Sequence, residues 1–174
     1  APAQAASRGR KPLAPLRWGA IRSTARSTTM PDATADARTA LACLDLTSLN
    51  DADDAAAITA LCAQAAGPAG VPAALCVWPR FVAQAKAGAP AGVRVAAVAN
   101  FPAGGLDMAA AVADARAIVD AGGDEVDLVL PWRALQAGDA AAAAALVQAV
   151  LAACTGRTLK LILESGDLAT QALI

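Results

Sequence analysis

The chain has 174 residues, 57% hydrophobic, 17% charged and only 3% aromatic, with 52 alanines, so its apolarity comes from small side chains spread along the whole sequence. That balance excludes a disordered or fibrous protein and fits one domain with one continuous core, and no run approaches the ~20 consecutive apolar residues of a membrane span. The net charge is −1, and the absence of histidine excludes Ser-His-Asp triads, His-ligated zinc and imidazole acid–base chemistry.

Residues 1–29 carry six basic residues (Arg8, Arg10, Lys11, Arg17, Arg22, Arg26) and no acid. They have no sustained apolar period, which predicts a basic, disordered extension. An organelle transit peptide, translated sequence ahead of a start at Met30 and a simple disordered arm all fit this composition. The remaining residues hold 8 basic and 15 acidic groups, net −7, an acidic body that argues against a nucleic-acid surface.

From Pro31 onward short apolar runs alternate with alanine-rich helical segments. The pattern predicts a leading helix over 32–41, a strand over 43–49, and a helix from an Asn50-Asp51 cap to about Ala65 with Asp51, Asp53 and Asp54 in its first turn. It continues with a strand over 73–78, a short helix over 79–86, a strand over 93–100, and a helix over 106–121 closed by Gly122-Gly123. A strand over 125–130 follows, then a helix over 140–154 capped by Asp139 and ended at Gly156, a strand over 158–164, and a helix starting at Asp167. Strands alternating with helices mean right-handed crossovers and a parallel sheet.

Buried parallel strands usually read as unbroken apolar runs, and these do not. Val126, Leu128 and Leu130 share one face of the fourth strand, with Glu125, Asp127 and Val129 on the other. Leu159, Leu161 and Leu163 oppose Lys160, Ile162 and Glu164 on the fifth, and Leu44 and Leu46 oppose Asp45 and Thr47 on the first. An apolar face toward the helices and a polar opposite face is the pattern of a barrel lumen that carries chemistry near the C-terminal strand ends. The alternative is a flavodoxin-like sheet, which would have the strand order 2-1-3-4-5.

The lumen-facing candidates are Asp45, Thr47, Asn100, Asp127, Lys160 and Glu164. At ~4.8 Å between neighbouring strands, Asp127 and Lys160 can approach contact; a proton-transferring pair and a structural ion pair are both open readings. Lys160 is one of three lysines, with Lys11 and Lys86, and Lys86 is expected to be solvated on a helix. The loop from Asn100 to Gly105 has ordinary turn chemistry. The four cysteines (Cys43, Cys62, Cys76, Cys154) contain no C-x-x-C pair, which predicts reduced core thiols of an intracellular protein. There is no P-loop, dinucleotide fingerprint or metal-ligand cluster by spacing.

Five ordered blocks then carry a resemblance: Leu44-Asp45-Leu46-Thr47-Ser48-Leu49-Asn50-Asp51, Ala74-Leu75-Cys76-Val77-Trp78-Pro79-Arg80-Phe81, Val98-Ala99-Asn100-Phe101-Pro102, the stretch from Gly123 through Asp124-Glu125-Val126-Asp127 to Leu135, and Leu159-Lys160-Leu161-Ile162-Leu163-Glu164-Ser165-Gly166-Asp167-Leu168. In order and spacing they resemble the deoxyribose-phosphate aldolase family of class I aldolases. The resemblance implies an α/β fold, a (β/α)8 TIM barrel of which about five parallel strands with covering helices are present. It also implies reversible cleavage of 2-deoxy-D-ribose 5-phosphate to D-glyceraldehyde 3-phosphate and acetaldehyde, without metal or cofactor. By the same resemblance Asp127 matches the proton-transfer carboxylate, Lys160 the strand-five lysine of the pocket, Asp45 and Thr47 polar residues near the substrate, and Cys76 a pocket cysteine, with Asn100 and Glu164 as further substrate-side candidates.

The family's imine-forming lysine lies on strand six, in a K-T-S-T-G-like block, and a second lysine lies on strand seven; neither block is in this sequence. Residues 30–174 are therefore expected to be the N-terminal part of such a barrel, inactive by themselves. Expected partners are small sugar-phosphate and aldehyde substrates, with no nucleic acid and no membrane, and a homodimer in full-length form. The expected location is the cytoplasm.

Overall fold

A computed structural model describes residues 33–168; the expectations for residues 1–29 and for a start at Met30 lie outside them. Five strands, β1 (Asp45–Thr47), β2 (Ala74–Val77), β3 (Arg94–Ala99), β4 (Glu125–Val129) and β5 (Thr158–Ile162), form one sheet in the order β1-β2-β3-β4-β5. Every pairing is parallel. Sequential order excludes the flavodoxin-like arrangement and is that of consecutive barrel strands.

The helices are α1 (Ala33–Ala42), α2 (Ala55–Gln64), α3 (Val82–Gly88), α4 (Met108–Asp120), α5 (Trp132–Gln136), α6 (Ala140–Ala153) and α7 (Ser165–Leu168). Alternation along the strands decides what each face buries. Leu75, Val77, Val95, Ala97, Ala99, Val126 and Leu128 point to the helices and pack on Ile58, Leu61, Ile118, Leu146 and Val150; Val126 and Leu128 are on the face predicted for them, while Leu161 and Leu163, predicted on the covered face of the fifth strand, are exposed. The opposite face is not uniformly polar: Ala74, Cys76, Ala96 and Val98 form a smaller apolar cluster there with Leu49, Trp78 and Phe101. β2 and β3 thus line that face mostly with small residues, and its charges come from β1, β4, β5 and the first residue of β3.

The sheet is strongly bent. Four strand spacings put β1 and β5 ~19 Å apart in a flat sheet, more than a lysine and an aspartate side chain span together. Yet the Nζ of Lys160 on β5 lies 2.6 Å from Oδ2 of Asp45 on β1. The small-residue face is therefore concave and brings its two outer strands to one point.

Several local expectations are corrected. The helix expected from Asn50-Asp51 begins at Ala55, with Asp54 as its N-cap accepting from the Ala57 N–H at 2.9 Å. The preceding acid is used otherwise: Asp53 accepts from Ser48 Oγ (2.8 Å), Asn50 N (3.0 Å) and Asn50 Nδ2 (3.1 Å), and these bonds fold 48–53 into a turn. Pro79–Phe81 is a 3-10 turn ahead of α3 because Pro79 opens it and no side chain caps it. α4 begins at Met108 rather than at Leu106, with Asp107 capping it by accepting from the Ala110 N–H, while Asp139 caps α6 as expected by accepting from the Ala142 N–H. The short helix α5 has no side-chain cap and so left no signal in the sequence. Lys86, expected to be solvated, sits 2.9 Å from Asp124 Oδ2 at the N-terminal end of β4. Asp124 also accepts from the Val95 N–H at 2.8 Å.

The loop after β3 is fastened to β4. Asn100 adopts φ 55°; its Oδ1 accepts from the Gly105 N–H (3.1 Å), and its Nδ2 donates to Gly105 O (3.0 Å) and Val129 O (3.1 Å). Within it Gly104 has φ +58°, and a Cβ there would lie 2.5 Å from Leu130 O and 2.9 Å from Trp132 Cδ1. Gly104→Ala is expected to cost about 3 kcal/mol from left-handed strain and overpacking combined. Urea unfolding checks it; a midpoint matching that of the unsubstituted protein would refute the constraint.

Candidate active site

Strand register sets the candidate groups in layers on the concave face. Cys76 pairs with Ala96, Ala96 with Glu125, and Glu125 with Thr158; one layer nearer the C-terminal strand ends, Val98 pairs with Asp127 and Asp127 with Lys160. The Lys160 ammonium lies 2.6 Å from Asp45 Oδ2, 2.6 Å from Glu125 Oε1 and 3.0 Å from Asp127 Oδ2. Glu125 and Asp127 are buried, at 5% and 4% exposure, and Glu125 Oε2 also lies 3.7 Å from the Arg94 guanidinium. The three acids lie close enough to hold a metal ion, but the lysine ammonium already occupies the space among them.

An ammonium has three N–H donors, and here three carboxylates surround it. Burial, the largest single influence on Lys160, favours the neutral amine, but hydrogen bonding to Asp45, Glu125 and Asp127 outweighs it and raises the lysine pKa above its ordinary value. A lysine held as ammonium is a poor nucleophile, because an imine-forming amine must be deprotonated to attack. The buried apolar cluster beside Asp127 acts the other way on that acid. Burial is the main cause that pushes its carboxyl up; Lys160 opposes this by hydrogen bond and charge, Glu125 and Asp45 add to it, and the result is about 6. Its Oδ1 is buried and has no hydrogen-bond partner among the described residues. Asp127 thus combines one oxygen on a cation, one free oxygen and a basicity suited to exchanging a proton near neutrality.

Cys76 Sγ lies 3.8 Å from Asp127 Oδ2, and burial, followed by the Asp127 charge, pushes its thiol up to about 12. It is a neutral neighbour of the acid rather than a thiolate. Labelling of the folded protein with iodoacetamide at pH 8 is therefore expected to modify exposed Cys43 first, with Cys62, Cys76 and Cys154 protected by burial. Peptide mapping checks this, and Cys76 reacting as fast as Cys43 would contradict it.

Of the residues singled out in the sequence, Asp45, Cys76, Asp127 and Lys160 converge. Thr47 is exposed and its Oγ1 donates to the Asp45 carbonyl at 3.1 Å. Asn100 is committed to the loop it closes. Glu164 follows β5 with φ 52°, and its carbonyl accepts from the N–H groups of Asp167 and Leu168 to start α7. Glu125 is the cluster member left out of the candidate set. Its signal was the alternation that places it on the Asp127 face. Trp78 after β2 and Phe101 after β3 pack on the small-residue cluster and meet edge to face at 5.5 Å, and Trp78 Nε1 donates to Asn50 O at 3.1 Å.

A family model described as DeoC/LacD family aldolase matches residues 39–172. A curated deoxyribose-phosphate aldolase from Agrobacterium fabrum is 47% identical over 137 residues, covering 77% of this chain and 53% of the relative. A crystal structure from Coccidioides immitis, provisionally assigned as a deoxyribose-phosphate aldolase, superposes with TM-score 0.70 at 26% identity over 75% of this chain and 51% of its own. One from Toxoplasma gondii ME49, with the same provisional assignment, matches in fold at TM-score 0.72 and 24% identity over 81% and 55%. The chain thus spans about half the length of the relatives it matches. No helix among the described residues is long and apolar enough to cross a membrane.

Proposed function

The chain belongs to the DeoC/LacD aldolase family, and from that premise we propose that it supplies the proton-transfer side of a deoxyribose-phosphate aldolase site. The reaction is reversible cleavage of 2-deoxy-D-ribose 5-phosphate to D-glyceraldehyde 3-phosphate and acetaldehyde through a lysine Schiff base. Residues 30–174 contribute the first β/α units of a (β/α)8 barrel, and the imine lysine is a residue other than Lys160. The observation that carries this reading is the buried Asp127 carboxylate, 3.0 Å from a fixed ammonium and with one oxygen unpaired.

In chemical terms the imine withdraws electrons from the bond to be broken, so D-glyceraldehyde 3-phosphate departs as its hydroxyl gives up a proton to a base, and the two-carbon fragment stays on the lysine as an enamine rather than a free carbanion. That enamine must gain a proton on carbon in the cleavage direction and lose one in the synthetic direction. An acid of pKa about 6 serves both, directly or through one water. Lys160 keeps Asp127 oriented and offsets its charge, while Asp45 and Thr47 lie on β1 near the substrate side and Cys76 lines the wall. The protein acts on small sugar phosphates and aldehydes in the cytoplasm, in the breakdown of deoxyribonucleotide sugars, as a homodimer.

The native polypeptide carrying this sequence is expected to release acetaldehyde from 2-deoxyribose 5-phosphate with a rate unchanged by EDTA, read by coupled NADH oxidation. Absence of cleavage, or cleavage abolished by the chelator, would contradict the proposal. A second reading, a non-catalytic half-barrel that binds sugar phosphate or a complementing chain, draws support from the exposed Leu161 and Leu163 at the outer strand.

A further inference from the structure

We propose that Glu125 is a positioning residue: from the layer beneath Asp127 it fixes the Lys160 ammonium and so sets how readily Asp127 holds a proton. The inference rests on the proton-transfer reading of Asp127, but its test needs no turnover.

The geometry that carries it is a division of labour among acids. Asp45 lies at the edge of the cluster, with a side chain 32% exposed, whereas that of Glu125 is 7% exposed. A lysine bound only by Asp45 and Asp127 would keep one N–H free and would be able to swing toward solvent, where 39% of its side chain already lies. Glu125 takes that donor at 2.6 Å. It also stands two residues before Asp127 on one strand, on the same face, so its charge acts on Asp127 through a buried, weakly screened path. Among the described residues the titratable and charged groups around Asp127 are Asp45 from β1, Cys76 from β2, Arg94 of β3 acting through Glu125, Glu125 itself, and Lys160 from β5. Glu125 competes with Asp127 for the Lys160 ammonium and repels its charge, and both effects favour the protonated form. Arg94, whose side chain is 54% exposed at the bottom of the face, draws Glu125 the other way through Oε2.

The test is the titration of Asp127, followed by carboxyl-carbon NMR in the 174-residue chain with selectively labelled aspartate, assigned with Asp127→Asn. Glu125→Gln removes the competing charge and retains the shape; the Asp127 midpoint is expected to fall by about one pH unit, tenfold in proton affinity, and Glu125→Asp, which retains the charge, is expected to restore at least half of that change. An unmoved midpoint in a folded Glu125→Gln protein, or Glu125→Asp behaving like Glu125→Gln, overturns the proposal. If Glu125→Gln does not fold, Arg94→Gln at the exposed end reads the same coupling in reverse: with Glu125 turned wholly to Lys160, the Asp127 midpoint is expected to rise, and no change overturns the inference. Failure of aldol cleavage in the native polypeptide would count against the catalytic reading alone, because the titration is measured without substrate.

Discussion

Replacing Asp127 by asparagine is expected to slow aldol cleavage by about 10²-fold or more in the native polypeptide, with little change in KM and with folding retained. Asparagine preserves the size of the side chain and its contact with Lys160 but cannot exchange a proton. The orphaned Oδ1 is the position where the substituted amide is felt, because that oxygen faces no protein donor. The pH dependence gives a second readout. Burial raises the Asp127 carboxyl to about 6, so the unsubstituted protein is expected to lose or gain rate through that pH and the variant to show no such limb. Turnover within twofold of the unsubstituted protein would remove Asp127 from the proton path.

The second large effect is on stability. Lys160→Leu leaves Asp45, Glu125 and Asp127 together without the cation they share. Breaking a buried pair costs about 3–5 kcal/mol, but 39% of the Lys160 side chain is exposed, and solvent screening brings the expected loss to about 2–3 kcal/mol near pH 8. The sign with pH follows from which state binds more protons. Asp127 in the folded protein already holds its proton more tightly than an unfolded aspartate, so its contribution to stability falls as pH rises through the interval from about 4 to about 6. Without Lys160, whose hydrogen bond and charge hold the Asp127 carboxyl down, Asp127 is held still more strongly protonated, so the variant is expected to regain part of its stability between pH 8 and pH 5. The Lys160 contribution in the unsubstituted protein has the opposite range: its raised pKa makes it fully present below the ordinary lysine value and lost only above it. Urea unfolding at the two pH values checks this, and equal stability of variant and parent at pH 8 would show that the ion cluster is energetically idle.

How much of this was legible beforehand depended on distance along the sheet. The helix-facing Val126 and Leu128 of β4 were readable because a strand alternates with period two whatever surrounds it, whereas β2 and β3 are apolar on both faces and gave no such signal. The pairing of Asp127 with Lys160 was readable because adjacent strands in register bring those two residues side by side. The contact between Lys160 and Asp45 was not, since it depends on the curvature accumulated over four strand pairs, and no local pattern states that curvature. Asp51, Asp53 and Asp54 misled the start of α2 because aspartate serves both turn and cap, and only the hydrogen bonds of Asp53 to Ser48 and Asn50 decide between them. Glu125 stood on the right face but was passed over, because its role depends on the reach of a lysine from the next strand. The family blocks pointed to Asp127 and Lys160; the geometry leaves Asp127 Oδ1 without a partner among the described residues and sets three carboxylates around the Lys160 ammonium, and the proposed division of roles rests on that.

The most direct test of that separation is to incubate the native polypeptide carrying this sequence with 2-deoxyribose 5-phosphate and borohydride, then locate the reduced adduct by peptide mapping. The account predicts an adduct on a lysine other than Lys160, with the Lys160 peptide unmodified. An adduct on Lys160 itself would show that its ammonium is not held by the three carboxylates during the reaction and would contradict the assignment of both residues.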